Sequence, residues 1–402
     1  MRRYLQLLGT RGVGRIMAAQ LVARFPGGML SLAFLLHVEQ VHESYGAAGL
    51  VLAATSIGQA IAGPVTTRWM GHWGMRPVIV LTASVCAAAI AAIALVDMPV
   101  VLYMVVGFVG GISNPPIQPA VRTIYPKLVN SRQLTPLFSL DASAQELIWV
   151  VGPVVTTFVA TQVGTRQAIL LALVFLVAGT AWFVLSPEVS QVRIPRSRRR
   201  IGVVLLRPPV MLATAVGFLL VAACAAIEAG VVATFGHGDA SAGIALAIFA
   251  VGSLAGGLTF GHRQIDPWAL ARRMAIVFVG LAIAVLILEL WWISLALFIA
   301  GIGIAPALAA MFTITSASVK FSETAEAYGW IGTGQLIGAA IGSALAGFFI
   351  DGFDAPGAYW IAAAFAFLGV IVAIVFRGAS PDLRGRDASP IPDTEPVLTL
   401  KV

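Results

Sequence analysis

Twelve apolar runs, each long enough to cross a bilayer, decide what this chain can fold into. A membrane helix needs about 20 apolar residues. Such runs occur at 14–37, 46–68, 77–96, 99–121, 136–162 and 167–186, then at 209–235, 241–261, 272–290, 292–316, 327–350 and 357–376. Hydrophobic residues make up 59% of the 402 and charged residues 11%, where soluble domains carry about 25% charge. That balance excludes a soluble enzyme, a disordered chain and a fibrous one, because a folded surface in water needs more charge. A β-barrel is excluded as well, since barrels read as short alternating strands. The expected fold is all-α and membrane-embedded, with twelve transmembrane helices.

The spans divide six and six around a basic stretch containing Arg193, Arg196, Arg198, Arg199, Arg200 and Arg207. The expected organisation is therefore a bundle at 1–186, a cytoplasmic linker at 187–208, a second bundle at 209–376 and a disordered cytoplasmic tail at 377–402. Lys and Arg concentrate on the cytoplasmic side of membranes. With both termini in the cytoplasm, 23 of the 25 fall on that side, leaving Arg166 outside and Arg24 within a span. The net charge of +7 then reflects orientation and attraction to anionic lipid, with no nucleic-acid partner. Arg2 and Arg3 precede a long apolar run without a small-residue cleavage site, so this run is expected to stay as the first helix. Cys86 and Cys224 lie inside apolar runs and form no metal or disulfide pattern.

The two halves echo each other. Gly58 to Gly63 closes the second span and Gly252 to Gly257 the eighth; Gly111-Ile112-Ser113-Asn114-Pro115 in the fourth answers Gly303-Ile304-Ala305-Pro306 in the tenth. Parallel repeats of this kind mark transporter folds. Twelve spans, the 6+6 split and the basic linker resemble the major facilitator superfamily over about residues 14–376, and within it the 12-helix drug:proton antiporter, sugar-efflux-like branch of bacteria. The loop Thr67-Arg68-Trp69-Met70-Gly71-His72-Trp73-Gly74-Met75-Arg76-Pro77 keeps the Gly74, Arg76 and Pro77 of that family's gate signature, with Gly71 standing where the family has its acid. Gly152-Pro153 matches the core of the antiporter motif in the fifth helix, and Val106 stands where the branch has an arginine. The resemblance implies two pseudo-symmetric bundles, alternating access, and Arg68, Gly71, Gly74, Arg76 and Arg122 at the cytoplasmic gate.

An ionisable group deep in lipid costs at least about 2.5 kcal/mol and marks a functional candidate. Arg24, Asp141, Glu146 and Glu228 qualify. Arg24 lies roughly 15 Å into the first helix, and Glu146 is equally deep if the fifth helix starts near Pro136. The two are expected to face each other, either as a static ion pair or as a proton switch. Asp141, roughly 7 Å in, is expected to cap or latch a helix end or to join the coupling. Glu228 fits an outer gate, a second proton site or the outer interface. Gln20, Asn114, Gln118, Gln145 and Trp149 are the cavity candidates; Asn114, Gln118 and Arg122 recur every four residues as a polar track or as a proline-bent helix. His37 and His42 sit at the outer end of the first helix.

The sequence reads as a secondary transporter and not an enzyme. It needs no cofactor beyond a proton gradient, is multi-pass in the cytoplasmic (inner) membrane, is expected to be monomeric, and moves a small, partly apolar molecule by proton-coupled efflux. An uncoupled facilitator or importer, a lipid translocator and a non-transporting scaffold or sensor stay open.

Overall fold

The structure, a computed structural model, describes residues 2–197, 200–236, 240–261 and 263–393. The linker arginines Arg198 and Arg199, and Lys401 with the end of the tail, lie outside the described residues. Ten helices are long and apolar enough to cross a membrane. We number the spans α1 (Val13–His42), α2 (Tyr45–Trp73), α3 (Met75–Leu95), α4 (Val100–Leu128), α5 (Ser131–Gln162), α6 (Thr165–Leu185), α7 (Pro208–Phe235) and α8 (Ser241–Phe260). Next comes α9 (Ala269–Ala284), which at 16 residues is the shortest, followed by α10 (Leu290–Ser318). The stretch Phe321–Val375 is two helices, broken by non-helical backbone at Phe353 and Asp354 just before Pro356. We call them α11 (321–352) and α12 (355–375), which brings the crossings to the expected twelve.

Prolines shape the spans near the centre of the membrane. α1 is broken at Phe25, where Pro26 opens its second segment; the kink follows because proline lacks the N–H that would continue the ladder. α4 is interrupted between Ile112 and Ile117 by Pro115 and Pro116. Pro26, Pro115 and Pro116 are themselves buried, the setting in which freed backbone groups are tolerated within a membrane.

Glycine sets how closely the helices cross. A side chain at Gly58 or Gly111 would strike the backbone of the facing helix across the α2–α4 crossing. Gly252, Gly256 and Gly301 repeat this arrangement between α8 and α10. Gly28 and Gly152 press α1 on α5, as Gly338 and Gly342 press α11 on α7. Lipid gives no hydrophobic drive for helix association, so close backbone approach must supply the dispersion energy instead.

Contacts between the halves gather at one end, the end that carries the linker. There Ser139 Oγ and Tyr4 Oη donate to Gly257 O (2.7 and 2.9 Å), and Thr333 Oγ1 donates to Ala60 O (2.7 Å). Phe138 of α5 stacks within 6.2 Å of Phe312 and Tyr328 from α10 and α11. The described hydrogen bonds, ion pairs and ring contacts that link the halves lie between this end and the middle of the membrane, and none among the described residues joins them at the far end, so the bundle is closed here and parted there.

The tail differs from expectation between 377 and 393. Leu383 N donates to Ile265 O, Ile391 pairs with Val319 and Phe321, and Asp393 accepts from Ser322. These bonds dock the tail on the loops of the second half.

Closure at the linker end depends on Gly63 and Gly329, each of whose absent Cβ would lie within 3 Å of the other's carbonyl oxygen. Gly329→Val is expected to wedge this end apart. Paired spin labels at the far ends of α1 and α7 should then report a shorter mean distance than in the wild type.

Candidate functional site

Asp141 of α5 is a fully buried carboxylate, at 0% exposure. An isolated carboxylate in such a place is prohibitive unless paired and hydrogen-bonded. Four donors meet it. Arg122 Nε of α4 donates to Oδ2 at 2.9 Å. Gln20 Nε2 and Arg24 Nη1 of α1 donate to Oδ1 at 3.2 and 3.4 Å, as does Tyr125 Oη at 3.2 Å. One turn along α5, Gln145 Oε1 accepts from Arg24 Nη2 and from Arg122 Nη2. Gln118, with its amide turned to satisfy both partners, accepts from Arg122 Nη1 and Nη2 at 2.5 and 2.9 Å. Three helices thus share one network. Arg122 also reaches across to the second half, its guanidinium carbon 3.4 Å from the Phe312 ring centroid.

This corrects the expected Arg24–Glu146 pair: Arg24 pairs with Asp141. The reason lies in where α5 begins. It starts at Ser131, capped by the Asn130 side chain, and not near Pro136. Asp141 is therefore ten residues in, roughly 15 Å, which is the depth of Arg24. Asp141 and Gln145 share a face, whereas Glu146 is roughly 140° away from Asp141. Asp141 consequently anchors an ion pair and does not cap a helix end. Arg122, expected among the gate residues, is 2% exposed inside α4, because that helix runs on to Leu128.

Glu146 turns to the other half. It faces Ser253 of α8 and lies within electrostatic range of Glu228 of α7. Along the α5–α8 contact, Ser139 meets Gly261, Ser143 meets Gly257, and Glu146 follows opposite Ser253. No basic side chain among the described residues forms an ion pair with Glu146. Glu228 is exposed, and Cys224, one turn away, is near both acids. Trp149, 55% exposed, and Asn114, also exposed, join neither cluster.

The gate loop is latched by residues from elsewhere. Arg68 Nη1 donates to Glu326 Oε2 of α11 at 2.8 Å, and Gly202 N of the linker donates to Glu326 Oε1 at 2.8 Å. A carboxylate from the second half thus grips Arg68, while Gly71 lies against Pro195. Arg76 Nη2 reaches Ser186 O at 3.4 Å, and Gly74 holds φ +90° at the α2–α3 turn. Gly152 meets Gly28 with Pro153 beside it. His37 and His42 bond to Thr165 and Met98 at the far end of the first half, away from the network.

Sequence reasoning missed Tyr125, Phe312, Tyr328, Ser253, Glu323 and Glu326. The two glutamates had a signal: acids three residues apart at a helix start, where the helix dipole favours them.

This arrangement of paired six-helix bundles, with a polar network at the centre and closure at one end, is that of a membrane transporter. The chain matches the Major Facilitator Superfamily over residues 16–234 and 222–401 and belongs to that family. It is similar in fold to a bacterial homologue of the iron transporter ferroportin in an outward-facing state (13% identity, 92% of this chain and 100% of that one, TM-score 0.74). The human organic anion transporter MFSD10 (TETRAN) is similar too, at 14% identity over 90% of this chain and 99% of that one, with a TM-score of 0.72. So is the proton:xylose symporter XylE bound to 6-bromo-6-deoxy-D-glucose (14%, 94% and 98%, TM-score 0.71). No curated protein sequence matches.

Asp141→Asn removes the one negative charge shared by two arginines and keeps the shape. It is expected to cost about 3 kcal/mol or more, as breaking a buried ion pair does. Thermal unfolding of the purified protein in detergent should show the loss, and Glu228→Gln should leave the midpoint nearly unchanged.

Proposed function

We propose that this protein is a proton-coupled exporter of a small, partly apolar molecule, with Glu146 as the proton-carrying group. The observation that carries this reading is the position of Glu146. It lies at the contact between α5 and α8, a seam that must part when the linker end opens, and it has an acid and a hydroxyl for neighbours. When deprotonated, Glu146 brings a second negative charge beside Glu228 in a region of low dielectric, where like charges repel strongly. A proton on Glu146 removes that repulsion, so its charge state changes the energy of the seam. Proton uptake and release thereby bias which end of the bundle is open, which is what coupling requires.

In this reading the linker end faces the cytoplasm of a bacterial cell, following the distribution of Lys and Arg. The structure is then outward-facing, the state in which an exporter releases cargo and takes up protons. The Arg122–Asp141 pair is a static scaffold, and the lumen above it holds the substrate. Proteins of similar fold include an organic anion transporter, a homologue of an iron transporter and a proton:xylose symporter, so the fold alone does not set the cargo.

The test is proton flux in everted vesicles, followed with a pH-gradient dye while lipophilic cations, organic acids, antibiotics and sugars are added. At least one compound is expected to collapse the gradient in wild type, with no collapse in Glu146→Gln. Equilibration of a labelled compound with no proton movement would replace this reading with an uncoupled facilitator.

A further inference from the structure

The network around Asp141 does not balance. Arg24 and Arg122 contribute two positive charges and Asp141 one negative charge; Gln20, Gln118, Gln145 and Tyr125 are neutral. Among the described residues, the ionised side chains that act on Arg24 are Asp141 and Arg122. One cation is therefore in surplus at mid-membrane depth, where an uncompensated charge is expensive.

The surplus is not spread evenly. Arg122 and Asp141 are 2% and 0% exposed and are joined by the 2.9 Å bond from Arg122 Nε. Arg24 is the more accessible of the two arginines, with its side chain 11% exposed and a longer 3.4 Å approach to Asp141. A guanidinium has five N–H donors. Arg24 spends Nη1 on Gln20 and Asp141 and Nη2 on Gln145. Its Nε–H finds no acceptor among the described residues, and Nε is not shut away from solvent. Nε and Nη2 form the side of the guanidinium that grips a carboxylate with two parallel bonds.

The amides around it point the same way. Gln145 Oε1 is taken by the two arginines, and Gln118 Oε1 is taken by Arg122. The groups left for a ligand are thus the Nε2 amides of Gln118 and Gln145 together with the Arg24 N–H groups, all of them donors. A site whose free hydrogen-bonding capacity is all donor, and whose charge is one unit positive, is complementary to a monoanion. It repels a cation and leaves a neutral acceptor underused. Trp149 lies one turn beyond Gln145 on the same face of α5 and is 55% exposed, an apolar surface for the body of a molecule whose charged end is on Arg24.

We propose that Arg24, with the amides of Gln118 and Gln145, binds the carboxylate of an organic monoanion entering from the open end of the lumen. Naming that anion as cargo rests on the transporter reading above; the binding site itself does not. It also narrows the sequence-based picture of a lumen poor in charge to one that takes a single carboxylate with an apolar body.

Equilibrium binding of radiolabelled benzoate to the purified full-length protein in nanodiscs tests this, with benzamide and benzylamine as neutral and cationic matches. Benzoate is expected to bind at least tenfold more tightly than either. Arg24→Gln should weaken benzoate at least tenfold and leave benzamide unchanged, and Arg24→Lys should restore part of the difference. Arg24→Gln also neutralises the network while keeping the Arg122–Asp141 pair, so its unfolding midpoint should equal or exceed that of wild type. Benzoate binding no tighter than benzamide, or unaffected by Arg24→Gln, overturns the proposal. A midpoint several degrees lower in Arg24→Gln without benzoate selectivity in wild type makes Arg24 a structural partner of Asp141 alone. Because this assay reads binding and the vesicle assay reads proton movement, either proposal can fail while the other stands.

Discussion

A carboxylate with no access to water must be given every hydrogen bond it would have had in water, and Asp141 organises the first half of this protein around that requirement. Its partners come from α1 and α4, and its own helix is α5, so satisfying one side chain fixes three helices against each other. The same requirement reaches the second half through Arg122, whose guanidinium is stacked on Phe312. Phe312 in turn contacts Phe138 and Tyr328. The polar network thus rests directly on the aromatic plug that shuts the linker end. Any rearrangement that withdraws α10 must separate Phe312 from Arg122, so the network and the gate are mechanically joined.

The two acidic systems in the lumen have different surroundings. Asp141 is surrounded by donors and carries its charge in a fixed setting. Glu146 has Ser253 and Glu228 for neighbours and lies on a seam between moving bodies. Five residues of helix separate them, enough to turn one toward the static interior of a bundle and the other toward the interface. That division places one carboxylate among donors in the interior of a bundle and the other at the interface between the halves.

Much of the fold was legible because lipid imposes a coarse rule: long apolar runs, interrupted by charge, can only be spanning helices. Span positions followed from it. The site was legible in composition and not in pairing. Arg24, Asp141, Gln20, Gln118 and Gln145 stood out one by one, yet partners depend on depth, and depth depends on where a helix starts. Placing the start of α5 at Pro136 shifted its register by more than a turn. Asn130 followed by Gln133 was the available sign of an earlier start, since that spacing matches a capping box. Arg122 was hidden for a different reason: charge counting assigns basic residues near a span's end to the loop, and α4 simply continues. Contacts between the halves, such as Arg68 with Glu326, join residues 258 positions apart, and no local pattern reports them.

The linker has a further consequence. On one side Val192 and Ile194 are packed into the main core, and Glu188 is bonded to Arg15. On the other side Gly202 is held by Glu326 and Arg207 by Glu323, at 2.5 Å. The covalent leash between the halves is therefore not the whole interval from 187 to 208 but the eight steps from Ile194 to Gly202. A chain of that length reaches at most roughly 27 Å when fully drawn out. While both anchorages hold, the leash sets a ceiling on how far the two bundles can swing apart at this end, and so on the girth of anything admitted from that side.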